Sequence, residues 1–504
     1  MVRLFAVVNR VTLAAVAAAA GCAQLAGIED TVALGDALAV TRVSIGNKIV
    51  SAPLDPTGLS AIYFVAGSDP SKVDRVMGIP DARHGRWTTK LHAAAPVQYT
   101  LPDVPTPIPR LLALPSLQLS VPYGVLEHPD PQPAPADGTF MVNVTLDTAV
   151  AMGEAFQTYV VGPWLRHDFA AADVPLMAMQ LAPAAFGFTG ANDRISSRAQ
   201  IDAVTPDDAF LILRYAGNAL TGVAEAPAFA QTAGVTMVPA VTMTTVTQDQ
   251  MLDMTIAPMA IAARYTGVVP AVATLTMDWS LQAAPGYSYA LNFGPQLQAG
   301  SLMETDPGVS MLPYGNPFAA RGWHTLLTLA TQESRVYAPM GPLGMPTPIT
   351  LSAGLNQFVE PTQAVTLEVP AGLPQAITLG GVRLAPDGLT IKQPTQFVDV
   401  SFTIDAPMLA AGPAPPPTVY EVDVYDLVVD ATAMALVRQL VYSAVSNAPK
   451  FALPPEVFQV GHSYALRAVT NLGGFPSSDR GNFLDRELPL AQGYLDGGVL
   501  TVVP

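Results

Sequence analysis

Cysteine is almost absent from this chain: its 504 residues contain one, Cys22. A single cysteine cannot form an intramolecular disulfide, so each folded region must be stabilised by its own apolar core. Charged residues are also scarce, at 13% of the chain, and acids outnumber lysine and arginine by 40 to 24, which gives a net charge of −16. Because such a surface repels the phosphates of nucleic acids, we expect no nucleic-acid partner.

The apolar stretch near the N-terminus is short. Residues 11–20 carry no charge, and Arg3 and Arg10 precede them without an acidic residue. Ten residues cover about 15 Å as a helix, roughly half of the hydrocarbon core that a spanning helix must cross. A basic segment followed by a short apolar run is typical of an export signal, which is removed from the mature chain.

The end of that stretch carries a recognisable motif. Ala19-Ala20-Gly21-Cys22 resembles the lipobox of bacterial lipoproteins, in which small residues precede a cysteine that is acylated and becomes the mature N-terminus. The resemblance implies that residues 1–21 form a cleaved signal peptide, that Cys22 is the lipidation site and that residues 22–35 form a tether. This motif departs from the family pattern at Ala19, where leucine is usual.

The residue after the cysteine implies a location. Ala23 stands where an aspartate would retain such lipoproteins in the inner membrane, so we expect a lipid-anchored protein of the cell envelope, at the outer membrane. The alternative is an ordinary secretory signal, which would leave Cys22 as a free thiol. Lipidation accounts for both the single cysteine and its position, and two or three acyl chains suffice for stable anchoring.

Proline and glycine are abundant, with 48 and 39 residues. Prolines spread through the chain interrupt long helices and favour short strands joined by turns. A mature chain of about 480 residues is also too long for one core, so several domains are expected. We therefore predict an all-β fold of tandem β-sandwich modules, immunoglobulin- or fibronectin-like, after a cleaved lipoprotein signal peptide.

The alternation of apolar and polar residues suggests the domain boundaries. A small β-domain is predicted over residues 36–102, and a central β-sandwich region of one or two modules over residues 137–369. Between them, residues 103–136 are rich in proline and are predicted to be a linker or an insertion bounded by strands. Residues 370–504 are predicted to form the last module.

A near-repeat supports the assignment of the last module. Gly461-His462-Ser463-Tyr464-Ala465-Leu466 and the earlier Gly286-Tyr287-Ser288-Tyr289-Ala290-Leu291 share the pattern Gly-x-Ser-Tyr-Ala-Leu. The later copy resembles the passage from strand E to strand F of fibronectin type III domains, where a turn glycine precedes a tyrosine whose hydroxyl stabilises the corner.

The same resemblance implies the positions of other strands. Phe397–Ile404 and Val419–Val424 would supply strands B and C, and Val499–Val503 the last strand. Phe402 stands where a buried tryptophan is customary. The open alternative is a short helix over Ala431–Ala444, which a fibronectin type III domain does not contain.

The later copy also invites comparison with the nucleophile elbow Gly-x-Ser-x-Gly of α/β-hydrolases. That elbow is a turn from a strand into a helix, and its histidine comes later in the chain. No histidine follows His462, and the segment after Ser463 alternates like a strand. Ser288 does precede His324, but no helix is predicted after it. Neither serine is therefore predicted to be a nucleophile.

Metal-ligand spacings are missing among the six histidines, none of which belongs to a His-Glu-x-x-His motif. The polar segments Glu127–Asp130 and Arg166–Asp168 are predicted to be solvated. A loop at residues 479–487 carries carboxylate and amide oxygens of the kind that Ca²⁺ prefers, but Arg480 and Arg486 partly neutralise it. We predict no catalytic residue, no metal site and no cofactor, and calcium in that loop stays open.

These features together favour a non-enzymatic structural or binding protein of the envelope. The expected partners are the membrane, through the N-terminal lipid, and either another envelope protein or a surface glycan. The alternative is an envelope hydrolase whose polar residues converge only in the folded chain. A cleft that holds a histidine and a carboxylate within hydrogen-bond reach would favour that alternative.

Overall fold

The structure is a computed structural model. It describes residues 35–67, 73–102, 106–135, 138–169, 180–187, 202–266, 275–285, 294–303, 305–306, 308, 311–337, 347–362, 364–367, 371–405, 418–430 and 435–504. These residues are mostly β-strand with one α-helix, which confirms the predicted class at this level. No helix among them is long and apolar enough to cross a membrane. Cys22, the signal peptide and the tether up to residue 34 lie outside the described residues.

The first region contains nine strands: β1 (Ala37–Ile45), β2 (Ile49–Pro53), β3 (Ala61–Ala66), β4 (Val73–Met77), β5 (Ile79–Asp81), β6 (Arg86–Thr88), β7 (Val97–Thr100), β8 (Pro109–Ala113) and β9 (Gln118–Val125). β1 pairs with β2 and β6, and in parallel with β9. β4, β3, β7 and β8 are neighbours in a second sheet. Alternate apolar residues of both sheets, among them Leu38, Tyr63 and Val97, form one core.

The proline-rich segment 103–136 contains β8 and β9. Pro109 is the first residue of β8, a position where a strand tolerates the missing N–H. β8 pairs on one side with β7 and on the other, in parallel, with residues 443–446 of the last region. Val419 and Phe483 also contribute to the core of the first region. The first and last regions therefore share both a sheet and a core.

The second region contains β10 (Thr139–Thr145), β11 (Glu154–Val161), β12 (Leu165–Asp168), β13 (Gln180–Gly187), β14 (Ala209–Ala216), β15 (Ala219–Glu225), β16 (Val235–Met237), β17 (Val241–Thr242) and β18 (Thr244–Thr245). β10 pairs with β13, and in parallel with β16 and β17. β12, β11, β14 and β15 are antiparallel neighbours in another sheet. Phe140 and Val142 of β10 share a core with Phe156 of β11 and Phe210 of β14.

The third region contains β19 (Gln250–Ile256), α1 (Pro258–Thr266), β20 (Thr276–Ala284), β21 (Gln296–Met303), β22 (Leu312–Tyr314), β23 (His324–Tyr337), β24 (Thr347–Val359) and β25 (Ala364–Leu367). β19 lies between β22 and β25. β21, β20, β23 and β24 are antiparallel neighbours. Met254 and Met277 are fully buried in the core that these strands share, as expected for methionines that fill gaps between strands.

The last region contains β26 (Pro374–Leu379), β27 (Val382–Arg383), β28 (Leu389–Lys392), β29 (Val398–Ile404), β30 (Thr418–Asp430), β31 (Ala435–Ser446), β32 (Lys450–Leu453), β33 (Ser463–Gly473) and β34 (Leu490–Val503). One sheet has the order β27, β26, β29, β32, and the other contains β31, β30, β33 and β34. Phe402 of β29 is buried, and its ring packs against those of Phe451 and Tyr420.

The corner predicted before β33 is confirmed. Gly461 has a φ of +84°, and the Tyr464 hydroxyl accepts a hydrogen bond from the backbone N–H of Gln459 at 2.9 Å. The helix considered over Ala431–Ala444 is wrong for the described part of that segment, because residues from Ala435 onward form β31. β31 alternates in its exposure and pairs with β30 along its length, which a helix would prevent. The earlier copy of the repeat lies outside the described residues.

One sheet of 18 strands runs through all four regions. From β12 it passes through β11, β14, β15, β21, β20, β23 and β24 to β34, and from there through β33, β30, β31, β8, β7 and β3 to β4. Two junctions connect the later regions: Leu351 of β24 stands opposite Leu495 of β34, and Ala219 of β15 stands opposite Gln298 of β21. The second of these junctions positions the cavity described next.

Candidate binding cavity

A cavity of about 350 Å³ opens where the second region meets the third. Its lining residues come from β11, β12, β14, β20 and β21 and from the adjacent turns: Ala155, Phe156, Gln157, Tyr159, Arg166, Asp168, Phe169, Tyr215, Gly217, Gln282, Gly294 and Gln296. The volume lies at the lower end of the range for small-molecule sites, roughly 300–1,000 Å³. The cavity is therefore large enough for a small ligand.

Strand alternation explains why these side chains face one another. Gln157 stands opposite Asp168, and Tyr159 stands opposite Arg166, in the antiparallel register of β11 and β12. Because side chains alternate between the two faces of a strand, Gln157 and Tyr159 share one face, while Phe156 belongs chiefly to the core on the other. The cavity thus lies over the face of β11 that carries Gln157 and Tyr159.

Two tyrosines supply buried hydroxyl groups to the lining. Tyr159 is 4% exposed and Tyr215 is 8% exposed. Burial raises the pKa of both hydroxyls, so both stay protonated across the physiological range. The Tyr215 hydroxyl donates to the backbone carbonyl of Gln296 at 3.2 Å.

Two buried polar atoms of the lining lack a hydrogen-bond partner among the described residues. One is the Tyr159 hydroxyl and the other is the side-chain oxygen Oε1 of Gln282. The Gln282 amide nitrogen does have a contact, at 3.4 Å from the Ser280 hydroxyl. A buried polar group without a partner is costly in free energy. Two such atoms in one cavity indicate a site that a polar ligand can complete.

An ion pair flanks the cavity. Arg166 Nη2 lies 3.1 Å from Asp168 Oδ2, and the two side chains are 52% and 62% exposed. Gln157 donates to the same carboxylate at 2.7 Å. Burial raises the pKa of Asp168, but the hydrogen bonds from Gln157 and Arg166 outweigh burial, and the net pKa is lowered. Asp168 is therefore ionised and neutralised locally by Arg166.

Sequence reasoning found only part of this site. Arg166 and Asp168 are exposed, as predicted for a solvated segment, but they also line the cavity. Tyr159, Gln282 and Tyr215 carry no motif that distinguishes them from other strand residues. Gln157, a glutamine within the largely apolar strand β11, is the local sign of a polar site. The residues that it faces depend on which strands pack together, and the local sequence does not indicate that.

In the segment Glu127–Asp130, the first two residues correct the expectation that it is solvated, whereas Asp130 is exposed as predicted. Glu127 is fully buried and forms an ion pair with Arg42, and His128 is 5% exposed. His128 Nε2 lies 2.8 Å from Asp208 Oδ1, and the backbone N–H of His128 donates to Asp202 at 3.1 Å. Glu127 and His128 are buried because they fill the junction between the first and second regions. The local sequence does not indicate that contact.

The charge state of His128 fits a structural role. Burial lowers the pKa of the imidazole, but the hydrogen bond to Asp208 and the nearby carboxylates of Asp202 and Glu127 outweigh burial and raise it overall. None of these residues lines the cavity. The imidazole therefore connects two regions through buried carboxylates.

The other sites considered from the sequence do not assemble into a catalytic group. His462 Nδ1 lies 2.9 Å from Asp426 Oδ2 at an exposed position, and the buried Ser463 hydroxyl lies 3.4 Å from that of Thr501. The segment after Ser463 is the strand β33, as predicted, and not the helix of a nucleophile elbow. Ser288 lies outside the described residues.

The loop at residues 479–487 bonds within itself. Asp485 Oδ2 accepts hydrogen bonds from the Ser477 hydroxyl at 2.8 Å and from the Asn482 amide at 2.9 Å. Within the described part of the chain, no group of three or more histidine, cysteine, aspartate or glutamate side chains could hold a metal ion. Internal hydrogen bonds therefore account for the polarity of this loop.

A carboxyl pair on β30 supplies a second feature that motifs did not indicate. Glu421 and Asp423 lie on the same face of the strand, where the Ser443 hydroxyl donates to Glu421 at 3.0 Å and the Tyr425 hydroxyl donates to Asp423 at 3.2 Å. Burial and the charge of Asp423 raise the pKa of Glu421 to about 8, and burial also raises the pKa of Asp423. One carboxyl of the pair therefore stays protonated near neutral pH.

This pair predicts that stability falls as the pH rises. Because the pKa of Glu421 is about 8 in the folded chain against an ordinary 4.5, the folded state binds more protons between those values, and the free energy of unfolding decreases across that interval. Glu421→Gln should weaken this dependence and stabilise the chain at pH 9 by at least about 1.4 kcal/mol, the equivalent of one pKa unit. Urea titrations at pH 5, 7 and 9 measure the difference.

The exposed Glu456, which pairs with Arg75 at 2.8 Å, provides the control for that titration. Glu456→Gln should leave the pH dependence of unfolding close to that of the wild type, because the ion pair it removes is solvated. If the Glu421→Gln curve runs parallel to the wild-type curve over the whole range, the raised pKa of Glu421 is wrong.

Comparison with known proteins assigns no family. No family model matches the sequence, and no curated protein matches it. Among solved structures, one match is Escherichia coli alpha-2-macroglobulin activated by porcine elastase, with a TM-score of 0.14 and 9% sequence identity. The match covers 93% of this chain and 42% of that chain. The chain thus spans less than half of that protein's length, and a TM-score at this level supports no conclusion about fold or function.

Proposed function

We propose that the protein is a lipid-anchored, non-enzymatic binding protein of the cell envelope, held at the outer membrane through Cys22. The observation that carries the binding role is the cavity between the second and third regions, with two buried polar atoms that lack partners among the described residues. The anchor rests on the lipobox-like residues 19–22. The protein would hold its cavity at a membrane surface to capture a small ligand or the end of a larger one.

The proposed architecture is a row of β-sandwich modules, each of which contributes one layer to the long sheet. The last region gives this reading its best support. There β29 pairs with β32, and β33 lies between β30 and β34, which are the pairings that an immunoglobulin- or fibronectin-like sandwich requires of strands B and E and of strands C, F and G. The Tyr464 corner supports the same assignment.

The alternative, an envelope hydrolase, lacks support from the cavity. His84 bonds to Asp81, His128 to Asp208 and His462 to Asp426. None of these six residues lines the cavity. A hydrolase of this kind needs its histidine and carboxylate at the place where the substrate binds. The binding role is therefore the one we carry forward.

Photo-crosslinking in intact cells tests the binding role. Ala155 is exposed and lines the cavity, whereas Met152, three residues earlier, is 91% exposed and does not. A photoreactive residue at position 155 of the full chain should form a discrete adduct in the envelope, several-fold more than the same residue at position 152. Equal labelling at the two positions, or no adduct at either, would contradict a role for the cavity in binding.

A further inference from the structure

We propose that the ligand of this cavity is a neutral saccharide. The proposal rests on the proposed function, since it assigns a chemical class to the same cavity. Its starting point is the pair of atoms without partners among the described residues, the Tyr159 hydroxyl and Gln282 Oε1. Tyr159 is 4% exposed and lines the cavity, and its hydroxyl is closed to water in this structure, so a ligand becomes its partner when the lining side chains adjust on binding.

The two atoms differ in their hydrogen-bonding capacity. Gln282 Oε1 is an acceptor and needs a donor, whereas the Tyr159 hydroxyl can donate or accept. A ligand that completes both must bring a donor for Gln282 and either a donor or an acceptor for Tyr159. A sugar hydroxyl is both, and a sugar ring carries several of them, so one ring can satisfy two lining atoms that belong to different strands.

The charges around the cavity argue for a neutral ligand. Arg166 and Asp168 are the charged residues of its lining, and they pair with each other at the exposed side. An anion would have to compete with Asp168 for Arg166, and a cation would have to compete with Arg166 and with the Gln157 amide for Asp168. A hydroxyl can bond to either side chain without breaking that pair.

The remaining lining residues suit both the C–H face and the hydroxyl groups of a sugar ring. Phe156, Phe169, Tyr159 and Tyr215 contribute aromatic surface, against which the C–H face of a ring can pack. The glutamines Gln157, Gln282 and Gln296 offer both donors and acceptors around it. Polar atoms make up the larger part of the lining surface, which suits a ligand rich in hydroxyl groups. At about 350 Å³ the cavity suits one or two rings, or the end of a longer glycan.

Calorimetry on the detergent-solubilised full chain tests the ligand class. The probes are four neutral disaccharides, maltose, cellobiose, lactose and N,N′-diacetylchitobiose, with digalacturonate and glucosamine as charged comparators. At least one neutral probe should bind, and neither charged probe should bind as tightly. Tyr159→Phe should weaken that binding about tenfold or more, because the variant keeps the ring and loses only the hydroxyl.

Tyr442→Phe is the matched control. Tyr442 is also buried, but its hydroxyl donates to Gln98 Oε1 at 2.9 Å, away from the cavity. This variant should bind the probe as the wild type does and should unfold at a lower temperature. Tyr159→Phe should show the opposite pattern, with weaker binding and a Tm equal to or above the wild-type value, because it removes a buried hydroxyl that has no hydrogen-bond partner among the described residues.

The outcomes separate the ligand class from the binding role. The saccharide proposal is overturned if no neutral probe binds, if a charged probe binds as tightly, or if Tyr159→Phe binds as well as the wild type. If the adduct at position 155 forms while no saccharide binds, only the ligand class is wrong. If the adduct is also missing, both the ligand class and the binding role are wrong.

Discussion

Cys22→Ala is expected to abolish membrane attachment of the mature chain. The single cysteine lies directly after a short apolar segment, where a lipoprotein carries its acyl groups. Two or three acyl chains bind a membrane stably, whereas the variant would keep none of them. The intact mass of the wild-type chain extracted from membranes should include acyl groups on Cys22, and labelled fatty acid should enter the wild type but not the variant.

Ala23→Asp provides a matched change at the neighbouring residue. It should keep the acyl mass and the attachment, and it should move the protein from the outer to the inner membrane if the retention rule of lipoproteins applies to this chain. Sucrose-gradient separation of the two membranes distinguishes these outcomes. A wild-type chain that is found in the soluble fraction without acyl mass would contradict the proposed anchor.

The local sequence predicts the parts of the fold that are stabilised by contacts between residues close together in the chain. The turn at Gly461 and the hydroxyl of Tyr464 lie within a few residues of the backbone that they stabilise, and both are confirmed. Alternation likewise indicates β10, where Phe140, Val142 and Val144 are buried and the residues between them are more exposed. Val235–Val246, by contrast, alternates like one strand, whereas the structure divides it into β16, β17 and β18, with Pro239 between the first two.

Contacts between distant parts of the chain were beyond the reach of sequence reasoning. His128 and Glu127 look like members of a solvated loop until the segment around Asp202 and Asp208 packs against them. The cavity depends on the meeting of β11, β12 and β14 with β20 and β21, so its two key atoms, on Tyr159 and Gln282, come from different regions. Neither residue stands in a motif, because the site is defined by strand pairing and not by spacing along the chain.

Replacing Arg214 by methionine should destabilise the second region by about 3–5 kcal/mol. Arg214 lies on β14 and is 4% exposed, and its guanidinium donates to Glu154 Oε2 at 2.6 Å and to the Thr148 hydroxyl at 2.7 Å. It also donates to the backbone carbonyls of Thr148 at 3.2 Å and of Ala149 at 2.8 Å, so one side chain organises the loop between β10 and β11. Methionine would fill much of the volume but leave these acceptors unpaired.

The size of that effect depends on how deeply the arginine is buried, and an exposed arginine provides the comparison. Arg75 pairs with Glu456 at 2.8 Å, but both side chains are 47% exposed. Arg75→Met should therefore cost no more than about 1 kcal/mol, since a solvated ion pair contributes little. Hydrogen exchange in increasing urea reports the stability of each region separately, over residues 138–245 for Arg214→Met and over residues 35–135 for Arg75→Met. A loss of similar size in both variants would mean that the Arg214 hydrogen bonds contribute no more than a surface pair, and that the loop between β10 and β11 is stabilised by its apolar contacts instead.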